Sequence, residues 1–152
     1  MRIEGRFTLN VPIRETWDNL LDPETLAACI PGCEKMEAIG ENTYDCTIKQ
    51  KVGPITVRFD FITTLSELTP PTHLKATGTG ADANKAGTFK QETVLDLKEI
   101  SPNEVEVSYR SDVTIVGRLA TFGDRIMRAK ARDVEKQFTQ ALQEKLKGGR
   151  AG

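Results

Sequence analysis

One histidine, one tryptophan, two tyrosines and three cysteines are all that 152 residues provide of those types. An odd, small number of cysteines argues against a disulfide framework, and "MRIEGRFTLN" alternates from its first residues without the apolar core of a secretory leader. A reducing, cytoplasmic setting is the expectation. No run approaches the roughly 18 apolar residues of a membrane span. Internal repeats, low-complexity stretches and a linker are also missing, so residues 1–147 are expected to form a single domain and 148–152, "GGRAG" with Lys147 before it, a flexible tail. A chain of this size buries roughly 70% of its unfolded surface, so neither metal nor crosslink is needed to hold it.

The scarce residues also restrict the chemistry. His73 falls in the outward phase of a short strand after Pro70-Pro71, and a lone exposed histidine without an orienting group makes a poor general base. Cys29 and Cys33 stand four apart in "CIPGC", with Cys46 on a distant segment. Zinc takes about four ligands, commonly from paired short spacings, and a thioredoxin-type pair needs C-x-x-C at a helix start, whereas Cys29 closes a helix. "CIPGC" is therefore expected to be a turn, with Gly32 at the position that needs positive φ and the sulfurs as small buried apolar groups. No metal site and no catalytic residue is assigned.

What the chain has is alternation. "RIEGRFTL" places Ile3, Gly5, Phe7 and Leu9 on one side, the pattern of a half-buried strand. "VPIRETWDNLL" has helical spacing, and Asp22-Pro23 offers an N-cap and an N1 proline for a second short helix. Strands follow at "YDCTIKQKV", "ITVRFDFITTL", "THLKATG", "GTFKQETVLDLKEI" and "NEVEVSYRSDVTIVG", the first pair joined at Gly53-Pro54. From Arg118 onward some thirty residues carry Leu119, Phe122, Ile126, Val134, Phe138, Leu142 and Leu146 in an amphipathic stripe. The order predicts an α+β domain of the helix-grip type: a curved antiparallel sheet of about seven strands wrapped on a long C-terminal helix, with two short helices after the first strand. Space between sheet and helix is the natural ligand site.

The apolar phase of the strands contains no Asp, Glu, Lys, Arg or His, and a general acid or base needs a titratable group within reach of substrate. It offers instead an apolar wall with neutral polar groups along it. The expected cavity lining is Tyr44, Cys46, Ile48, Gln50, Phe59, Phe61, Gln91, Thr93, Tyr109, Ser111 and Val113 from the strands, with Phe122 and Ile126 from the helix. Gln50, Gln91, Thr93, Tyr109 and Ser111 either satisfy one another and internal water or face a ligand with carbonyl-type acceptors. Such a wall suits an uncharged lipophilic molecule.

Charge is divided unevenly. Residues 118–152 hold nine Lys or Arg against four Asp or Glu, a net of +5, while the chain as a whole carries −1. Arg125, Arg128, Arg132 and Lys136 are the candidates for one exposed face that meets an anionic membrane or a protein partner; the plainer reading is a solvated face that also opposes the helix dipole. No nucleic-acid partner is expected.

"DPETLAACIPGC", "KVGPI" and "VGRLATFG", with "GTGADANKAGTFKQETVLDL" between them, resemble in order and spacing the CoxG family of carbon monoxide dehydrogenase accessory subunits, within the START-like SRPBCC superfamily. The resemblance covers roughly residues 2–147. It implies a helix-grip fold with a hydrophobic cavity, an accessory rather than catalytic role beside a molybdenum hydroxylase-type dehydrogenase, peripheral attachment to the cytoplasmic membrane and a menaquinone-like quinone as ligand. Many members carry a C-terminal membrane-seeking extension, whereas this sequence ends "KLKGGRAG", so the basic helix would have to act through reversible lipid contact. The alternatives are a cyclase- or hydrolase-like SRPBCC enzyme and a pure interaction adaptor whose interior is filled by its own side chains.

Overall fold

In a computed structural model describing residues 1–82 and 87–151, the alternating segments form one antiparallel sheet. Strand β1 (Arg2–Leu9) is followed by helices α1 (Ile13–Leu20) and α2 (Pro23–Cys29). A meander then runs through β2 (Cys33–Gly40), β3 (Thr43–Val52), β4 (Ile55–Thr69), β5 (His73–Asp82), β6 (Thr88–Ser101) and β7 (Glu104–Val116). A 3₁₀ turn (Arg118–Phe122) leads into the long helix α3 (Gly123–Ala151). The strand order is β1-β7-β6-β5-β4-β3-β2, so β1 and β2 are the two edges.

Local chemistry explains the joints. The Asp22 carboxylate accepts from the Glu24 amide and from Thr25 Oγ1, with Pro23 in the first turn, which starts α2. Gly32 has φ 79°, and a side chain there would strike the carbonyl of Lys49, whose amide in turn donates to the Gly32 carbonyl at 2.8 Å. The turn expected in "CIPGC" thus also ties the end of α2 to β3. Gly53, at φ 58°, makes the tight β3–β4 connection.

β2 has no counterpart among the strands quoted from the sequence, β4 runs on to Thr69 rather than ending at Leu65, and two further elements differ from the expected boundaries. β5 continues to Asp82 rather than ending at Gly78, because Gly78 and Gly80 lie inside the strand, and a Cβ at Gly80 would fall 2.7 Å from the Phe61 Cα. Such glycines mark close approach, not termination. The long helix starts at Gly123, whose φ of 80° separates it from the 3₁₀ turn. The Leu119 side chain, the side chains from Lys147 on and all of Gly152 lie outside the described residues, and the backbone of 148–151, expected as a tail, continues α3.

Packing divides into two clusters. The larger gathers Leu9, Val11, Trp17, Leu20, Cys29, Leu74, Leu97, Val105 and Val107 under Leu142 and Leu146 of α3, closing one end of the sheet with α1 and α2. The smaller, at the other end, is Val52 and Val57 with Ile55, Phe59, Ile115, Phe122 and Met127 packed on them. Between the two clusters most residues of the concave face are half-buried rather than buried.

Candidate functional site

The strand register places the inner residues of this middle band. Gln91 pairs with Val113, Thr93 with Ser111, and Leu95 with Tyr109 across β6 and β7. Phe59 and Phe61 of β4 both meet the Phe89 ring of β6 edge to face, at centroid distances of 5.0 and 5.1 Å. Phe61 and Phe89 flank Gly80 in the register, so the missing side chain on β5 is what lets two non-adjacent strands bring their rings together. Phe59, Phe61, Phe89, Gln91, Thr93, Tyr109 and Val113 are all half-buried although they lie on the concave side. The α3 backbone comes near the sheet at β1 and β3, towards its flanks, which fits that incomplete cover.

The neutral polar groups largely satisfy one another. Gln91 Nε2 donates to Thr93 Oγ1 at 2.6 Å, and Thr93 and Ser111 share a hydroxyl bond at 2.7 Å. Gln50 donates to the Pro31 carbonyl, and the Tyr44 hydroxyl donates to the Leu21 carbonyl at 3.3 Å. These last two hold the α2 region against β3 rather than standing free in the band. Cys46 is buried, 1% exposed, with its sulfur 3.1 Å from Met36 Sδ, and burial pushes its thiol up to about 11. Ile48 is half-buried beside Cys33 in the register. Phe122 belongs to the smaller cluster and covers Gly53. Ile126 is 43% exposed, and Met127, which carries no signal beyond helical phase, takes the inward position instead.

Charge does reach the inner side, at two positions that the strand phases expected from sequence leave out. Asp82 pairs with Phe59 in the register and is buried, its carboxylate accepting from the Arg58 amide at 2.7 Å. Glu135 comes from α3. The Tyr109 phenol crosses Gly5 of β1, where an added Cβ would lie 2.6 Å from the ring, and the Glu135 carboxylate of α3 acts on it electrostatically. Burial first and then that carboxylate push the phenol well above its usual range. Sequence signals were the absent side chain at Gly5 and the adjacency of Glu135 to the apolar stripe, but only the packed helix joins them.

The remaining candidates sit elsewhere. His73 is on the outer face, as its phase predicts, but it is not isolated: Nδ1 lies 2.6 Å from Asp96 and Nε2 3.4 Å from Glu67. The Asp96 bond is the main cause that raises its pKa. Cys29, Cys33 and Cys46 are free thiols, and no cluster of His, Cys, Asp or Glu suited to a metal occurs among the described residues. On α3, Arg125, Arg132 and Lys136 are exposed, whereas Arg128 is half-buried and donates to the Arg2 carbonyl. Three cations, not four, are therefore available to a partner on that face.

A seven-stranded antiparallel sheet with a long C-terminal helix is matched by comparison with known proteins. Residues 5–147 match the family of the carbon monoxide dehydrogenase G subunit, CoxG. The chain belongs to the CoxG family. A conserved protein from Geobacillus kaustophilus has 26% identity and a TM-score of 0.90, over 97% of this chain and 96% of that one. A START superfamily protein from Mycobacterium smegmatis (10% identity, TM-score 0.73, 97% of both chains) shares the fold. So does the ZhuI aromatase/cyclase from Streptomyces sp. R1128 (12%, TM-score 0.71, 97% and 93%). A search of curated proteins finds no significant match. The expected START-like helix-grip architecture is thus the architecture found. No helix among the described residues of this CoxG chain is long and apolar enough to cross a membrane.

Proposed function

We propose that this CoxG-family chain holds an uncharged lipophilic molecule, a quinone of the menaquinone type, on its concave face. In this reading it serves as an accessory to a carbon monoxide dehydrogenase-type molybdenum enzyme at the membrane surface. The observation that carries it is the separation of the core into two clusters with a half-buried, mainly apolar band between them. Burying apolar surface contributes about 25 cal/mol per Å², so a ligand covering half-exposed phenylalanines gains what the protein's own side chains leave unused. The family name supplies the dehydrogenase, and the +5 of the last 35 residues suits an anionic surface. Organic extraction and native mass spectrometry of the protein purified from its own cells test this: a quinone mass lost on extraction is expected. Absence of any lipophilic adduct, with no saturable binding of menadione by the extracted protein, would remove the ligand role and leave an adaptor.

The enzymatic alternative has two observations behind it, the Tyr109–Glu135 pair beside the band and a cyclase among the structural neighbours. A phenol whose proton is held by burial and by a carboxylate is a weak acid and no base, so the pair is better suited to orienting a ligand than to proton transfer. Turnover of an extracted ligand that is lost in Glu135→Gln would favour the enzyme instead.

A further inference from the structure

The two edges of the sheet are not alike. β2 is broken by register shifts between Cys33 and Lys35 and between Ala38 and Gly40, the irregularity by which edge strands discourage pairing. β1 pairs with β7 in unbroken register from Arg2 to Leu9. Met1 and Val113 exchange both backbone bonds, at 2.9 and 2.8 Å. Antiparallel alternation then directs the backbone groups of Ile3, Gly5, Phe7 and Leu9 to β7, and those of Arg2, Glu4, Arg6, Thr8 and Asn10 to the open edge. Two side chains of α3 confirm the phase by plugging that edge at its ends: Arg128 donates to the Arg2 carbonyl, and Gln143 Oε1 accepts from the Asn10 amide at 3.1 Å. Between these plugs, Glu4, Arg6 and Thr8 keep their N–H and C=O groups without a protein partner among the described residues.

α3 runs beside the Thr8 end of this gap and leaves a groove of about 530 Å³ there, bounded by Phe7 and Thr8 on one side and by Arg132, Glu135, Lys136 and Thr139 on the other. Thr139 Oγ1 is buried without a hydrogen-bond partner, unlike most buried hydroxyls. An edge strand facing a helix across a groove is the arrangement in which an extended peptide adds as one more strand. The free stretch from Glu4 to Thr8 suits a segment of about five residues, some 17 Å long. Its charge follows from the rim: Arg132 and Lys136 are exposed on either side of half-buried Glu135, which leaves the rim net positive.

We infer that the groove between β1 and α3 is a docking site for an extended acidic segment of a partner protein, bound by strand addition to Glu4, Arg6 and Thr8 with its carboxylates on Arg132 and Lys136. A second copy of the chain is the poorer occupant, because edge-to-edge pairing of β1 would bring two sets of these cations together. The site lies outside the concave band and stands whether or not a quinone binds there.

The test uses the ¹⁵N-labelled full chain and three synthetic heptapeptides: alternating Glu and Val, alternating Lys and Val, and the acidic one N-methylated at alternate residues. The acidic peptide is expected to shift the amides of Glu4, Arg6 and Thr8 saturably and to slow their exchange. The lysine peptide should bind about tenfold more weakly or worse, and the N-methylated one, unable to complete the ladder, should not bind. Arg132→Glu with Lys136→Glu should reverse the charge preference. No saturable shift up to about 1 mM, shifts confined to β2, or binding indifferent to N-methylation would overturn the assignment. Exchange at these amides that slows with protein concentration alone would give the edge to a second copy and overturn it as well. The peptide comparison on the unsubstituted protein keeps the test decisive if the double variant folds poorly.

Discussion

Gly5→Ala is the sharpest perturbation of the inner face, because its sign depends on one neighbour. The added Cβ would lie 2.6 Å from Cε1 and Cζ of Tyr109, about 1 Å inside a comfortable carbon contact. β1 is held in register with β7 along its length, so the free end of the ring has to move. Moving forces the ring out of its packing, and overpacking of this kind costs about 1–3 kcal/mol. Against this stands a gain of about 0.4–1 kcal/mol for replacing glycine, from the reduced entropy of the unfolded chain. The net expectation is a loss of up to about 2.5 kcal/mol. In a Tyr109→Ala background the obstacle is gone, and the same Gly5→Ala change should stabilise by about 0.4–1 kcal/mol. Urea unfolding of the four proteins, compared at equal m values, measures the coupling. Equal costs in both backgrounds would show that Gly5 is needed for its backbone and that the Tyr109 ring is not the obstacle.

Three further outcomes follow from the same geometry. Cys33, half-buried, should react first with a thiol reagent, Cys46 only on unfolding, and a Cys29→Ser, Cys33→Ser double variant should keep its fold and its lipophilic ligand; stoichiometric zinc lost in that variant would restore the metal reading. The Asp96 bond raises the His73 pKa above its ordinary 6.5, so the pairing gives its full stability below the unfolded value and loses it as pH rises through the folded one. The stability difference between wild type and His73→Gln should therefore shrink from about pH 6.5 upward, and a constant difference would refute the link. Flotation with phosphatidylglycerol-rich vesicles should show weak attachment that high salt reverses and that Arg125→Gln, Arg132→Gln, Lys136→Gln abolishes, since each cation near an anionic leaflet contributes about 1 kcal/mol; attachment that survives the triple substitution would place the contact elsewhere.

Period-two alternation made the strands legible because it is a local property of each segment, and Asp22-Pro23 and Gly32 announced their turns through backbone rules that need no tertiary contact. Two of the misplaced boundaries involve glycine. Gly78 and Gly80 look like a strand end in sequence, and only the approach of Phe61 shows that β5 passes through them to carry Asp82 inward. Gly123 looks tolerable inside a helix until its φ of 80° makes it the joint between two helical pieces and turns Ile126 outward. Helix phase errors of one residue suffice to exchange Ile126 for Met127. Tyr44 and Gln50 were legible as inward but not as occupied, since their partners are carbonyls of connecting segments whose paths no periodicity encodes.

That occupancy bears on what the concave face can recognise. The expected row of neutral donors is mostly closed on itself: Thr93 and Ser111 bond each other, Tyr44 and Gln50 bond backbone, and Tyr109 lies under the charge of Glu135. Among the described residues Gln91 commits one of its two amide hydrogens, to Thr93. A ligand carbonyl therefore meets Gln91 without cost, but must compete with the Glu135 carboxylate for Tyr109. Selectivity on this face then rests on shape and apolar area more than on a set of polar contacts, with Gln91 as the one inexpensive anchor. Gln91→Leu should accordingly weaken a quinone far more than an alkane chain of equal area, and an equal loss for both would place the headgroup away from Gln91.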